Sequence, residues 1–337
     1  MNKPVMCEYI SPNLKEDTIN IEWRFSVKCN YDCSYCMPLL HNNNTHVTTF
    51  EEMKIGIRNI KKTNPGKKIT IALAGGEPFI HPRILDILKM LKKEGVVKIH
   101  ISTNLSLPAD TYIKSFEWLD ALTTSFHFEN TDTQIFKTKF LKISKSISSD
   151  KNIKFLLLLC PGKLSETEEI IKWLNENNIR YSVRKIKPLY RLDNNKINQS
   201  IFNGGVVGSK AYPKYTGLGW DTDHNNYYNT KELELLDTFK NSYTNLLGYD
   251  TDGNEYKLDW NDLPMQNKNN FMGWECFIGV HSFLIHENGD IYRENCGVGG
   301  LIGNIFISAP KIDQPVICPH KWCNCGFGLE AHKRKLK

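Results

Sequence analysis

From Ile19 to Ile186 short apolar runs and amphipathic stretches take turns along the chain, and this alternation limits the fold more than any other feature. Ile19 to Lys28, Ile69 to Ala74, Val96 to Ile101, Ala121 to Phe128, Ile153 to Leu159 and Ile179 to Ile186 read as strands. Helices fit between them, from Thr49 to about Lys62, Pro82 to Lys93, Ala109 to Trp118, Thr133 to Ile147 and Glu166 to Asn175. Asn64-Pro65-Gly66 stops the first helix, while Ile84, Leu85, Leu88 and Leu91 share one face of the second. Strands that alternate with helices pair in parallel βαβ units, and here polar motifs recur at the C-terminal ends of the strands. The predicted class is α/β, a βα barrel with its chemistry gathered at one rim.

The first strand delivers Cys29-Asn30-Tyr31-Asp32-Cys33-Ser34-Tyr35-Cys36, three thiols at Cys-x3-Cys-x2-Cys spacing. Zinc sites close with four ligands and iron-sulfur clusters normally take four thiolates. This loop offers three, and the next cysteine downstream is Cys160. Three thiolates leave one metal vertex open for a substrate or cofactor; a structural zinc knuckle is the alternative reading. At the second strand end stands Gly75-Gly76-Glu77-Pro78. Two glycines let a strand end approach a ligand with no Cβ in the way, and a carboxylate there complements an amine. Ser102, Thr103 and Asn104 end the third strand, and Ser125 and His127 the fourth. Their polar groups suit ribose or carboxylate contacts, although a Ser-Thr-Asn run also makes an ordinary capping turn and His127 fits equally as a core histidine. Cys160, before Pro161-Gly162, reads first as a small buried hydrophobe.

The cysteine loop with Gly-Gly-Glu-Pro one βα unit later resembles the signature of the radical S-adenosylmethionine (SAM) enzymes, over roughly residues 19 to 190. The resemblance implies an open, partial six-stranded βα barrel of TIM type. It implies a 4Fe-4S cluster on Cys29, Cys33 and Cys36 whose fourth iron chelates the methionine end of SAM. Tyr35 would then lie beside the adenine, and Gly75, Gly76, Glu77 and Pro78 would meet the methionine ammonium. Ser102, Asn104, Ser125 and His127 would contact SAM or substrate, and Cys160 could donate a hydrogen atom to a substrate radical. The implied activity is reductive cleavage of SAM to a 5′-deoxyadenosyl radical that abstracts hydrogen from a peptide or small-metabolite substrate. Oxidation, crosslinking and epimerisation are the outcomes this allows, with a flavodoxin- or ferredoxin-type electron donor. The residues before the barrel are too few for the leader-binding winged helix of peptide-maturing relatives, which lowers the expectation of a ribosomal-peptide substrate.

A second cysteine set, Cys276, Cys296, Cys318, Cys323 and Cys325, flanks a hairpin pattern in which His281 to His286 and Ile291 to Arg293 are joined through Asn288-Gly289. Cys276, Gly289 and Cys296 echo the opening of the auxiliary-cluster extensions called twitch and SPASM, with six residues instead of four between Gly289 and Cys296. Five thiols suffice for one second 4Fe-4S cluster; a closed zinc site is the competing reading. A further string, Asp221, Asp223, Asn225, Asn229 and Glu232, has the oxygen spacing of an EF-hand loop, but Asn226 stands where glycine is usual and a polar loop capping the next helix is favoured.

The expected segments are an N-terminal arm (1–18), the barrel (19–190), an Asn- and aromatic-rich bridge (191–270) and a cysteine-rich hairpin domain (271–337). At 40% hydrophobic residues the chain can build a sizeable core, and its net charge of +6 is spread out, so no nucleic-acid footprint is demanded. No apolar run reaches the roughly 18 residues of a membrane span, and the 10 cysteines cluster as metal sites do, with Cys7 and Cys160 apart, so the expected location is the cytoplasm. The rival to the enzyme reading is a non-catalytic zinc-binding interaction module.

Overall fold

A computed structural model of the chain describes residues 5–12, 14–33, 36, 45–185, 228–238, 246–260, 262–266, 268–323 and 326–336. The elements run β1 (Met6–Ile10), β2 (Thr18–Ser26), α1 (Phe50–Thr63), β3 (Lys68–Gly75), α2 (Ile84–Lys93), β4 (Lys98–Thr103), α3 (Ala109–Ser115), β5 (Ala121–Phe126), α4 (Thr133–Ser146), β6 (Asn152–Leu159), α5 (Leu164–Glu176) and β7 (Tyr181–Lys185). Then follow α6 (Thr230–Thr238), β8 (Leu246–Asp250), β9 (Glu255–Leu258), α7 (Asp262–Met265), β10 (Glu275–Cys276), β11 (Ser282–Ile285), β12 (Asp290–Tyr292), β13 (Leu301–Asn304), β14 (Val316–Ile317), α8 (Gly326–Glu330) and β15 (Lys333–Arg334).

β2 to β7 pair in parallel in chain order, and the sheet they begin is open, running β13-β12-β11-β2-β3-β4-β5-β6-β7. This is the partial barrel the alternation predicts. Period-two alternation sorts each strand's side chains between two faces. Ile21, Trp23 and Phe25 of β2, Ile71 and Leu73 of β3, and Ile99 and Ile101 of β4 join Met53, Ile57 and Ile60 of α1 in one apolar core between sheet and helices. The opposite face, the barrel interior, takes the polar set: Thr70 donates to Asn20 at 2.5 Å, Arg24 Nε to Glu22 at 3.1 Å, and His100 meets Thr123 at 2.8 Å. Helix α1 starts where Thr49 and Glu52 cap each other's backbone N–H groups.

The N-terminal segment contributes β1, which sits between β15 and β8 in a second sheet, β14-β10-β15-β1-β8-β9. In the cysteine-rich segment β11 pairs in parallel with β2, Ile285 opposite Trp23, so β11 to β13 extend the barrel sheet, while β10, β14 and β15 join the second sheet. Asn288-Gly289 makes the turn as expected, with Gly289 at φ +85°, where L side chains are strained.

Candidate active site

The site forms where the ends of β2 and β3 are locked together. Gly76 N–H donates to Ser26 O at 3.1 Å and Glu77 N–H to Lys28 O at 2.8 Å, so the β3 end is pinned to the first residues of the cysteine loop. The contact tolerates no side chain: a Cβ on Gly75 would strike the Ser26 carbonyl, and one on Gly76 the Lys28 carbonyl. The pair of glycines is therefore fixed by close approach of two backbones as well as by room for a ligand.

One cavity of about 190 Å³ opens at this rim. It brings together Cys29, Cys33, Cys36, Gly75, Gly76, Ser102, Thr103, Asn104, Ser125 and His127, all singled out in the sequence, and adds Tyr31 and Ala74. Hydrogen bonds to sulfur surround the loop. The Tyr31 N–H donates to Cys29 Sγ at 3.4 Å, the Asn130 amide to Cys33 Sγ at 3.3 Å, and His127 Nδ1 lies 3.5 Å from the same sulfur. Asn104 reaches back to Asn30 Oδ1 at 2.9 Å, tying the β4 end to the loop. Burial lowers the His127 pKa to about 4, so its ring is neutral near pH 7.

Glu77 and Pro78 are buried and do not line the cavity. The Glu77 carboxylate accepts from Phe79 N at 2.9 Å, Thr103 Oγ1 at 2.8 Å and Asn104 N at 2.6 Å. Three internal bonds thus occupy the place where the motif suggests an ammonium contact, and they fix the β4 end against the β3 end. Leu105, the residue after Asn104, is buried at φ +57°, a conformation that costs a non-glycine residue roughly 1 to 2 kcal/mol. The surrounding bonds hold that strain at the cavity rim. Burial pushes the Glu77 carboxyl up to about 7 against its three donors. A raised carboxyl stabilises the fold below its unfolded pKa, and that contribution fades as pH rises through about 7. Glu77→Gln turns an amide N–H₂ toward the Asn104 N–H. It should destabilise the protein by about 1 to 3 kcal/mol, weaken SAM binding by displacing Asn104, and remove this pH-dependent limb. Urea titrations across pH with SAM-binding isotherms check all three.

The other sequence candidates are placed as follows. Cys160 is buried in the apolar core and lines neither this cavity nor the thiol cavity described next. Tyr35 and Cys325 lie outside the described residues, as do 221–227 of the EF-hand-like string. Glu232, its last position, accepts from Asn229 N–H at 2.9 Å and Gly162 N–H at 2.6 Å, and Asn229 caps α6 in return. The helix-capping role is the one the geometry displays.

A second cavity is lined by Cys276, Cys296, Cys318 and Cys323 together with Lys333. Lys333 is 1% exposed, donates to the Leu329 and Ala331 carbonyls at 3.1 and 2.9 Å, and its ammonium lies over the Phe271 ring at 4.8 Å. Burial raises the thiol pKa values, Cys318 to about 12, while the nearby ammonium favours the thiolates of Cys276 and Cys318. Among the described residues, no three His, Cys, Asp or Glu side chains are drawn close enough for a single metal ion.

Asn130 was missed in the sequence because it stands in no motif; it lies beyond the β5 end by a turn that the strand pattern does not mark. Lys333 opens the basic run Lys333-Arg334-Lys335, and its place in β15 buries it.

Comparison with known proteins bears on this geometry. The profile of the radical SAM superfamily matches residues 23–184. The 7-carboxy-7-deazaguanine synthase of Clostridium acetobutylicum is 26% identical over 184 residues, covering 53% of this chain and 77% of that protein. Among solved structures, Streptococcus suis SuiB bound to S-adenosylmethionine superposes with a TM-score of 0.50 at 14% identity, over 86% of this chain and 64% of SuiB. The chain therefore spans just under two thirds of SuiB. anSMEcpe with bound AdoMet gives 0.51 at 14% identity, over 86% and 78% of the two chains. These structural likenesses show the fold, a partial α/β barrel. The profile match over β2 to β7, residues 23–184, identifies this part of the chain as a radical SAM domain.

Proposed function

We propose that the chain is an enzyme that cleaves SAM reductively and uses the resulting radical to abstract hydrogen from a small-molecule or peptide substrate. The observation that carries this reading is the convergence of three thiols, a glycine edge and six polar side chains on one cavity. The residues fit the cofactors: Cys29, Cys33 and Cys36 would hold a 4Fe-4S cluster with one vertex open, and the bare backbone at Gly75 and Gly76 would admit the methionine end of SAM. When bound, the cluster supplies the electron that splits SAM. The chain's own groups do the rest. Ser102, Asn104 and Ser125 offer hydrogen bonds to the cofactor's polar atoms, and the β3–β4 lock through Glu77 keeps those donors in register.

Asn130 and His127 act on the sulfur of Cys33. A thiolate can only accept, so neutral His127 carries its proton on Nδ1 there, and each N–H···S bond stabilises negative charge on the ligand. Asn130→Leu should therefore lower the reduction potential of the cluster while leaving iron content unchanged. A potentiometric titration followed by electron paramagnetic resonance (EPR) reads this directly.

The second thiol cavity, with Cys276, Cys296, Cys318 and Cys323 in its lining, supports the reading of an auxiliary 4Fe-4S cluster. The buried Lys333 ammonium would balance part of a thiolate-bound cluster's negative charge. A substrate-derived electron accepted there allows a net oxidation or a crosslink. A flavodoxin- or ferredoxin-type protein fits as electron donor, and the reducing cytoplasm as location; no helix among the described residues is long and apolar enough to cross a membrane. The test is chemical: anaerobically reconstituted protein with dithionite and SAM should form 5′-deoxyadenosine, and stoichiometric zinc with no iron would instead favour a zinc-binding interaction module.

A further inference from the structure

The barrel interior is not packed as a core. Closed βα barrels fill their centre with bulky branched side chains, but the interior face here carries Ala72 and Ala74 on β3, Ser102 on β4, and Thr123 and Ser125 on β5, with charged residues on β2. Along the wall where β2 meets the C-terminal hairpin, buried polar atoms stand without hydrogen-bond partners: Arg24 Nη1, Tyr292 Oη and Glu294 Oε2. Tyr292 and Glu294 are each 1% exposed. Burying such atoms unpaired is unfavourable, most of all when they are charged, so a ligand that pairs them is expected.

The three are held in one unit. Arg24 donates through Nε to Glu22 at 3.1 Å and through Nη2 to the Asn295 carbonyl oxygen. Asn295 in turn donates its backbone and amide N–H groups to Glu294 Oε1 at 2.8 and 2.7 Å. Tyr292 stands opposite Leu284, and Leu284 opposite Glu22, which puts all of them on the interior face. Each charged group thus spends part of its bonding capacity on its neighbours and keeps one atom for something else. The unit also adjoins the cofactor cavity, because Arg24 is paired with Ala74 in the β2–β3 ladder and Ala74 lines that cavity.

We propose that this wall binds the amino-acid end of the substrate, a carboxylate on Arg24 and Tyr292 and an adjacent ammonium on Glu294. A guanidinium N–H and a carboxylate oxygen joined through one asparagine, with a phenol O–H on the same face, are complemented by an acceptor and a donor on neighbouring atoms. A carboxylate end would meet the Arg24 guanidinium and an ammonium end the Glu294 carboxyl, so that opposite charges face each other at both ends of the ligand. The inference rests on the radical SAM reading of the same barrel and narrows its substrate to molecules bearing a free α-amino acid.

The test uses the full chain, anaerobically reconstituted and saturated with SAM, in saturation-transfer NMR with the common L-amino acids one by one. For each amino acid that responds, the decarboxylated amine and the deaminated acid serve as controls. The expected result is transfer to at least one amino acid, weakened about tenfold or more in both controls and in Glu294→Gln and Arg24→Gln, as loss of one charge-assisted bond requires. Arg24→Lys should restore part of it. Should either Gln variant fail to fold by circular dichroism, Tyr292→Phe, which removes one hydroxyl, must still weaken transfer. A wild type that binds SAM yet shows no transfer, or transfer that folded variants leave intact, overturns the inference alone. A wild type that binds no SAM overturns the radical SAM reading and the inference with it.

Discussion

Replacing Cys29, Cys33 and Cys36 together by Ala should abolish reductive cleavage of SAM in anaerobically reconstituted protein. The three thiols lie at one cavity with the Gly75-Gly76 edge, and Cys160, the nearest cysteine downstream in sequence, is buried in the apolar core, so among the described residues no further thiol lines that cavity. Little of the fold depends on these side chains. The loop follows β2, whose Ile21, Trp23 and Phe25 are anchored in the main core, so the triple variant should keep its far-UV circular dichroism. Chromatography of 5′-deoxyadenosine against the wild type is the readout, and turnover in the variant at the wild-type rate would end the account.

The second large effect concerns the other thiol cavity. Wild-type protein should carry about eight irons per chain, and Cys276→Ala with Cys296→Ala should leave about four, as two four-iron clusters require. SAM cleavage should survive at least in part, while substrate conversion should fail. The same change should loosen the second sheet. An unfolded chain has no preformed site, so metal-binding energy becomes folding energy, and Cys276 lies within β10, between β14 and β15. Colorimetric iron and sulfide analysis with hydrogen exchange at β10 and β15 checks both effects. Four irons plus one stoichiometric zinc in the wild type would make this end a structural zinc site.

The barrel was legible in the sequence because βα units announce themselves locally. Apolar runs such as Ile69 to Ala74 and capped helices such as that begun by Thr49 and Glu52 sit within a few residues of where they were read. The second sheet was not legible, for a physical reason. β1 is five residues long, and its partners are β8 and β15, more than 200 residues away, so no local period marks it. The β8–β9 hairpin did carry a signal, Asp252-Gly253, and Asp250 organises that turn by accepting from Asp252, Asn254 and Tyr256. In the site, the ligand-like residues were legible from spacing. What Glu77 does was not, because its three donors come from a turn and from the end of the next strand. The hydrogen bonds to the Cys33 sulfur were equally hidden, since Asn130 is 97 residues away in the chain and in no motif.

The open vertex is the central claim, and EPR of the Cys276→Ala, Cys296→Ala protein, which isolates the first site, tests it most directly. Reduced with dithionite, this variant should show the signal of a single 4Fe-4S cluster, and adding SAM should shift its g-values as the free iron gains a ligand. A cluster signal that SAM leaves unchanged, at concentrations that saturate binding, would contradict the account.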